Sequence, residues 1–362
     1  MRILHIISGL GLGGAESTLY NLVKYDYKKN THIIISLSSK KFYEKKLSQI
    51  NVKVINLDFK QSIFHKVFKL IKIINNTKPH IVQSWMYHAE ILTIIVKILT
   101  KSKIVWNIRN STPYSRNFKL STKILVFLNS IFSYFIPQKI ISCSTIASKN
   151  HINIGYDRKK FINIFNGVDI KRFKIRNKIK KKKEIVIGCV ARWHPQKDHK
   201  NLIKSLNLLI QNNFYDWKCF LVGKGLNNKN KEILLLIKNY KLNKYIKLLG
   251  PLEKINHFYN KIDFFVLPSR DGEGFPNVLA ESYASGVMCI STDVGDANKI
   301  INEKKYLVKP GDEQRLYESI KIMINDNKLN NKKNKMNLRN KIKRNFSMEK
   351  MIKKYNTIWS NA

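Results

Sequence analysis

Acid is scarce in this sequence beside base. Its 362 residues carry 24 Asp and Glu against 67 Lys and Arg, a formal net charge of +43. Two origins account for such an excess. One is compositional: the basic residues are mostly Lys, Asn and Ile are also abundant, and lysine fills solvated faces. The other is functional: anionic lipid headgroups attract a basic surface, each nearby Lys or Arg contributing about 1 kcal/mol. Nucleic acid is a third anionic partner. The lysines are spread over the chain without an RNA- or DNA-binding signature, so no nucleic-acid partner is expected. Cysteine is scarce as well. Cys143, Cys189, Cys219 and Cys289 show neither a CxxC pair nor metal-ligand spacing, and read as small core residues in a reducing compartment. Long apolar runs are missing. The longest weakly charged one, Ile124 to Pro137, is too short to span a bilayer, and Met1-Arg2 leads straight into an apolar strand without a signal peptide.

What is present points to two α/β domains. The length suits two domains, and the 44% hydrophobic content is ordinary for a globular chain. The stretch from Lys171 to Lys183 carries nine basic residues and no acid, repels itself and stays solvated. It divides the chain into a first domain over 1–168, a basic linker over 169–184, a second domain over 185–344 and a final helix over 345–362. Another Lys- and Asn-rich stretch, Lys328 to Arg344, reads as solvated. The helix Phe64 to Asn75 puts Phe64, Val67, Phe68 and Ile71 on one face, for core packing or for contact with a membrane interface. The helix Lys123 to Ile136 has the same two readings.

The chemistry concentrates in Asp263 to Glu281, DFFVLPSRDGEGFPNVLAE. An apolar strand, Phe264 to Leu267, runs into a loop with Asp271, Gly272 and Gly274, and Pro276 opens a helix. A loop and helix N-terminus at the carboxyl end of a strand is where open α/β sheets bind ligands. Backbone N–H groups at Asn277 and Val278 suit a phosphate. Glu273 and Glu281 would repel one, so they suit hydroxyl groups on either side of it, a sugar at one end and a ribose at the other. A nucleotide-sugar has that shape. Further back, Arg192 and Lys197 bracket a Pro turn in ARWHPQKD. Two fixed cations there suit a diphosphate leaving group.

Glu273 and Glu281, with Gly274, Phe275, Pro276 and Asn277 between them, resemble the E-x7-E pattern of the family 4 retaining GT-B glycosyltransferases. ARWHPQKD resembles that family's GR-x3-QKD element, with Ala191 and Trp193 as departures. Gly13-Gly14-Ala15-Glu16 resembles its GGAE loop, Asn166-Gly167-Val168-Asp169 its domain-junction motif, and Trp85-Met86-Tyr87-His88-Ala89-Glu90 the WMYHA element of a subgroup in surface-polysaccharide (O-antigen, capsule) synthesis. Arg109-Asn110-Ser111 and Asp293-Val294-Gly295-Asp296 are also similar to subgroup elements; the second serves equally as a structural turn. The resemblance implies two Rossmann-like domains facing across a cleft, with the final helix crossing back to the first.

It further implies a retaining hexosyltransferase that uses a UDP- or GDP-sugar without metal or other cofactor; the sequence has no DxD cluster. By resemblance Glu273 binds the donor sugar, Glu281 the ribose, the backbone at Asn277 and Val278 the diphosphate, with Gly13 and Gly14 close to the donor phosphate and His88 beside the transferred sugar. Glu16 and Arg109 fall on the acceptor side. Glu16 reads equally as a first-turn charge answering the helix dipole, His88 as a satisfied core residue, and Arg109 as a structural ion-pair partner. The implied acceptor is a lipid-linked glycan and the implied place the cytoplasm, peripheral on the inner membrane face. Three alternatives stand beside this. A GT-B-fold nucleotide-sugar epimerase would want acidic and His catalytic groups not identifiable here. A basic nucleic-acid- or membrane-binding protein leaves the motifs unexplained. Gly9, Gly11 and Gly14 match the dinucleotide fingerprint, but the strand His32 to Leu37 ends in Ser-Ser-Lys without the acid that holds a ribose.

Overall fold

The computed structural model describes residues 1–39, 41–58, 63–114, 119–175, 184–329 and 331–362. The chain forms two compact units, Met1–Gly167 with Met348–Ala362, and Val168–Ser347. Unit 1 alternates β1 (Arg2–Ile7), α1 (Gly14–Asp26), β2 (Thr31–Ser36), α2 (Phe42–Ser48), β3 (Lys53–Asn56), α3 (Ile63–Thr77), β4 (Ile81–Trp85), α4 (Tyr87–Leu99), β5 (Lys103–Ile108), α5 (Leu120–Phe132), β6 (Lys139–Ser142), α6 (Thr145–Asn153) and β7 (Phe161–Asn163). The strands make one parallel sheet in the order β3-β2-β1-β4-β5-β6-β7. Unit 2 alternates β8 (Ile185–Val190), α7 (His199–Gln211), β9 (Trp217–Val222), α8 (Lys231–Asn239), β10 (Ile246–Gly250), α9 (Ile255–Tyr259), β11 (Phe264–Leu267), α10 (Asn277–Ala284), β12 (Met288–Thr292), α11 (Ala297–Ile300), β13 (Leu307–Val308), α12 (Glu313–Ile324) and α13 (Lys332–Asn345). Its parallel sheet runs β10-β9-β8-β11-β12-β13. Each sheet reverses its strand order once, between β1 and β4 in unit 1 and between β8 and β11 in unit 2. These are the switch points at which such sheets bind ligands.

Both faces of the first sheet are covered, so its strands are mostly apolar and alternate residues enter different cores. Ile3, Ile7 and Ile34 face one core; Leu4, Ile6, Ile33 and Ile35 face the other. The first core is closed by the last helix of the chain, α14 (Met348–Asn361), through Met351, Tyr355, Ile358 and Trp359. A buried polar chain accompanies that packing. Trp85 Nε1 donates to His5 Nδ1 (3.2 Å), which puts the His5 proton on Nε2, 3.0 Å from His32 Nδ1. His32 Nε2 then donates to Asp26 Oδ2 at 3.0 Å, and Asn356 of α14 donates to Oδ1 at 2.8 Å. Burial alone would raise the Asp26 carboxyl, but the hydrogen bonds from His32, Asn356 and Asn30 hold it below the usual range. No helix among the described residues is long and apolar enough to cross a membrane.

Three sequence expectations change. On α3, Leu70 and Ile74 are the core residues, with Ile71 and Ile73 partly buried, and Phe68 is 70% exposed. The inward stripe is rotated because it must meet β2 and β4 rather than collect the bulkiest rings. The stretch Lys328 to Arg344 is not merely solvated. It supplies α13, on which Arg339 donates to the carbonyls of Phe173, Ala284 (2.6 Å) and Ile170 (2.8 Å), and Lys341 to that of Ile300. Ala284 and Ile300 end helices, whose last carbonyls need donors, and Ile170 and Phe173 lie in the turn that opens unit 2. The basic run after Asp169 is in part packed: Phe173 is buried against Tyr259, and residues 176–183 lie outside the described residues.

Glu90, fully buried on α4, takes a hydrogen bond on Oε2 from Asn129 of α5 (3.1 Å), and its Oε1 has no hydrogen-bond partner among the described residues. Burial pushes the carboxyl up to about 8 despite the Asn129 contact. A raised folded value means that the neutral group's contribution is complete below the unfolded value of 4.5 and is lost as pH rises towards about 8. Glu90→Gln should therefore gain stability on the parent protein across that window, by on the order of 4 kcal/mol at its upper end. Melting temperatures of the two proteins at a series of pH values check this, and a gap independent of pH would refute it.

Candidate functional site

In unit 2 the loops that follow β8 and β11 lie side by side, because those strands are neighbours. Three consecutive residues of the first loop each contact the second. The Gln196 carbonyl accepts from the Arg270 N–H at 2.8 Å. Lys197 Nζ lies 2.5 Å from Glu273 Oε1. Asp198 Oδ2 accepts from Arg270 Nε at 3.1 Å, while its Oδ1 caps α7 at the Asn201 N–H. Asp198 holds φ 41°, a left-handed conformation that Asp tolerates better than most residues. Ser269 Oγ also donates to Glu273 Oε1, at 2.7 Å. Lys197 and Glu273 are both mostly buried, so their attraction is less screened than a surface pair's. Arg192 is exposed and makes no ion pair among the described residues.

The Glu273 loop is clamped from beneath. Gly274 O accepts from the Asp296 N–H at 2.9 Å. Gly295, at φ 56°, passes so close that a Cβ would meet Gly274 O at 2.2 Å and Glu273 O at 2.4 Å. The DVGD turn thus has a structural task, which is to hold the loop that presents Glu273. Phe275 is buried with its ring 5.0 Å from that of Phe346, and so anchors the loop. Pro276 caps α10, and Asn277 and Val278 form the helix's first turn, half-buried. One turn on, Glu281 Oε2 accepts from the Tyr259 hydroxyl at 3.1 Å. Burial raises the Glu281 carboxyl to about 7, against the opposing pull of Arg172 and Tyr259.

Unit 1 gathers its own set at the β1/β4 switch point. Gly13 precedes α1, and a Cβ there would meet Glu16 Oε2 at 2.3 Å. The Glu16 carboxylate therefore lies over the amino end of its own helix, where the dipole favours it. Gly14 has open space beside it. His88 is exposed in the first turn of α4, and the protein around it lowers its pKa by desolvation. Just before it, Met86 holds φ 73° and ψ 162°, a region that side chains rarely occupy and that costs on the order of 1–3 kcal/mol. Arg109 donates from Nη2 to Thr18 Oγ1 (2.9 Å) and to Asn166 Oδ1, with its guanidinium 5.6 Å from the Trp85 ring centre. Its Nη1 is buried with no partner among the described residues. Structural pairing and a remaining donor coexist in this one side chain.

Within unit 2, the structure brings together Lys197, Glu273 and the loop and helix start from Gly274 to Val278; in unit 1 it puts Gly13, Gly14, Glu16, His88 and Arg109 on the loops and first helical turns at one sheet edge. The sequence reasoning missed Ser269, Tyr259, Arg172 and Met86. Ser269 stood inside the loop already singled out; the other three contacts or conformations arise only once strands and helices are placed.

Comparison with known proteins agrees with this geometry. Residues 171–344, the segment that builds most of unit 2, match the model of the family described as glycosyl transferases group 1. The chain is 25% identical over 312 residues to the capsular polysaccharide biosynthesis glycosyltransferase CapH of Staphylococcus aureus, covering 83% of each. It is 29% identical over 182 residues (49% of this chain, 48% of the relative) to the N-acetylgalactosamine-N,N'-diacetylbacillosaminyl-diphospho-undecaprenol 4-alpha-N-acetylgalactosaminyltransferase of Campylobacter jejuni. Among solved structures, Alr3699/HepE of Anabaena in complex with UDP superposes with a TM-score of 0.86 over 100% of both chains at 18% identity. The fold is that of the GT-B glycosyltransferases.

The clamp on the Glu273 loop can be tested directly. Gly295→Ala adds a strained φ and a backbone collision, at a cost on the order of 2 kcal/mol. The melting temperature should fall by roughly 4–8 °C. A melting temperature within a degree of the parent's would show that the loop does not depend on Gly295.

Proposed function

We propose that the protein is a retaining glycosyltransferase that moves a hexose-type sugar from a UDP- or GDP-sugar to a growing lipid-linked glycan in surface-polysaccharide synthesis. It acts in the cytoplasm, peripheral on the membrane. The observation that carries this reading is the Lys197–Glu273 pair, held at the β8/β11 switch point beside the α10 N-terminus, in a segment that matches a glycosyltransferase family. The polysaccharide context rests on the name of the CapH relative, and the lipid-linked acceptor on the diphospho-undecaprenol in the name of the Campylobacter protein. The donor class draws support from the UDP and UDP-glucose complexes of the Anabaena protein.

In this reading the Lys197–Glu273 pair is a neutral pair that exchanges partners with the donor. A donor brings hydroxyl groups and a diphosphate together. Its sugar hydroxyls take the place of Lys197 on Glu273, and its phosphates draw the ammonium and Arg192. Glu281 takes the ribose, and the N–H groups of Asn277 and Val278 face the diphosphate. The glycosidic bond to the diphosphate breaks as the acceptor hydroxyl attacks from the face that the diphosphate leaves, and a phosphate oxygen takes the hydroxyl proton. Charge grows on the leaving group, where Lys197, Arg192 and the helix N-terminus oppose it. This arrangement asks for no metal ion, and the cations lower the barrier by several kcal/mol. Gly13 and Gly14 allow close approach of the substrates, His88 orients the transferred sugar, and Glu16 and Arg109 serve the acceptor.

A thermal-shift screen against UDP, GDP, ADP and CMP, with EDTA present, tests the donor class, because a ligand that binds only the native state raises its midpoint. A selective shift by UDP or GDP, lost in Glu281→Ala, is expected. In a transfer assay with the matching nucleotide-sugar, Lys197→Ala and Glu273→Ala should each reduce turnover by roughly 10²-fold or more while leaving the fold intact. Near-parental turnover in either variant would sink the site assignment.

A further inference from the structure

Helix α5 carries an apolar stripe on its outer face. Its inward residues are Val126, Asn129 and Ser130, all buried, followed by buried Ser133 at its end. Asn129 donates to Tyr87 O and Glu90 Oε2, both at 3.1 Å, and the two serines bond to carbonyls of the helix itself. Val126 and Phe132 join the core, whereas a second set of apolar residues faces out. Leu120, Ile124, Phe127 and Ile131 recur at four, three and four residues, one stripe of the helix, and Phe135 continues the line. Each of these five side chains is between 45% and 74% exposed. One exposed Leu needs no explanation, whereas a continuous ridge over three turns does.

Charge frames the ridge at both ends. Lys119 and Lys123 stand at its start. At its end Lys160 Nζ donates to the carbonyls of Ser133 (2.9 Å) and Tyr134 (2.5 Å), which brings the turn Arg158–Lys160 against the close of the helix. No Asp or Glu occurs between Glu90 and Asp157, and Asp157 is engaged with the Lys159 N–H at 2.9 Å. We propose that α5 lies in the plane of an anionic bilayer surface, with Leu120, Ile124, Phe127, Ile131 and Phe135 entering the acyl boundary and the flanking Lys and Arg side chains on lipid phosphates. A helix of 13 residues with polar groups on its inner face suits an interfacial position. A second copy of the chain suits the ridge less well. A symmetric contact would set Lys119, Lys123, Arg158 and Lys159 near their own like charges, with Asp157 as the single acid in the segment to answer them. The proposal rests on the reading above only for its use, which is to bring the enzyme to a lipid-linked acceptor.

Co-sedimentation with vesicles tests it, in pure phosphatidylcholine and in phosphatidylcholine containing phosphatidylglycerol. The full chain should bind the phosphatidylglycerol vesicles, more weakly as salt rises. The double variant F127E/I131E should lose at least roughly tenfold in binding, with an unchanged melting temperature and an unchanged shift by nucleotide. Binding by the double variant equal to the parent's would overturn the proposal, as would failure of the parent to bind. So would a parental dimer, seen by light scattering, that the double variant dissociates. Loss of the nucleotide shift in the parent, with vesicle binding intact, would count against the donor reading and not against this surface.

Discussion

A parallel strand cannot be joined to its neighbour by a tight turn. The chain must return across the face of the sheet, and a helix is the compact way to do it. Everything that carries chemistry here follows from that constraint. Each strand ends on the same edge, so each strand's exit loop collects there, and reversal of the strand order opens a gap between two of those loops. In unit 2 the reversal makes neighbours of β8 and β11, whose strands are far apart in sequence. Gln196, Lys197 and Asp198 can then touch Arg270 and Glu273. The two flanking contacts are scaffolding. They fix the middle residue, so that Lys197 meets Glu273 without a long flexible reach.

The second theme is polar chemistry kept inside by complete pairing. The run Trp85, His5, His32, Asp26 and Asn356 is a directed series in which each donor finds one acceptor, and the single carboxylate at its end collects the remaining donors. It ties the strand before His88 to the last helix of the chain. Glu90, two residues beyond His88, does not share this arrangement: one oxygen is paired and the other is not, and its carboxyl is raised accordingly. Satisfied and unsatisfied groups thus sit a few residues apart in the same motif.

Much of this was legible in the sequence. Strand, loop and helix from Phe264 to Glu281, the ARWHPQKD turn and the GGAE loop could be placed because turn residues and apolar runs are local signals. Their partnership was not local. That Ser269 and Lys197 share one oxygen of Glu273, and that Gly295 supports the loop, depends on strand order and on approach distances that no spacing encodes. Two readings share one basis. Phe68 on α3 and the basic run on α13 were judged by residue type, the ring as a core or membrane-facing group and the lysines as solvent-facing. In the fold the stripe that meets the sheet is set by helix rotation, and Arg339 and Lys341 turn to backbone carbonyls that lack other donors. For α5 residue type could not choose between a core and an outward apolar face, because the deciding fact is which side is buried.

Unit 1 is made from the two ends of the chain, whereas unit 2 is one uninterrupted segment. A ribosome delivers residues in order, so the order of completion is inverted. Unit 2 has all of its residues by Ser347, while the first core still lacks Met351, Tyr355, Ile358 and Trp359, and the Asp26 carboxylate still lacks Asn356. Domains of most nascent chains finish from the amino end. Here the unit begun first is the last to be completed, because its first core waits for α14.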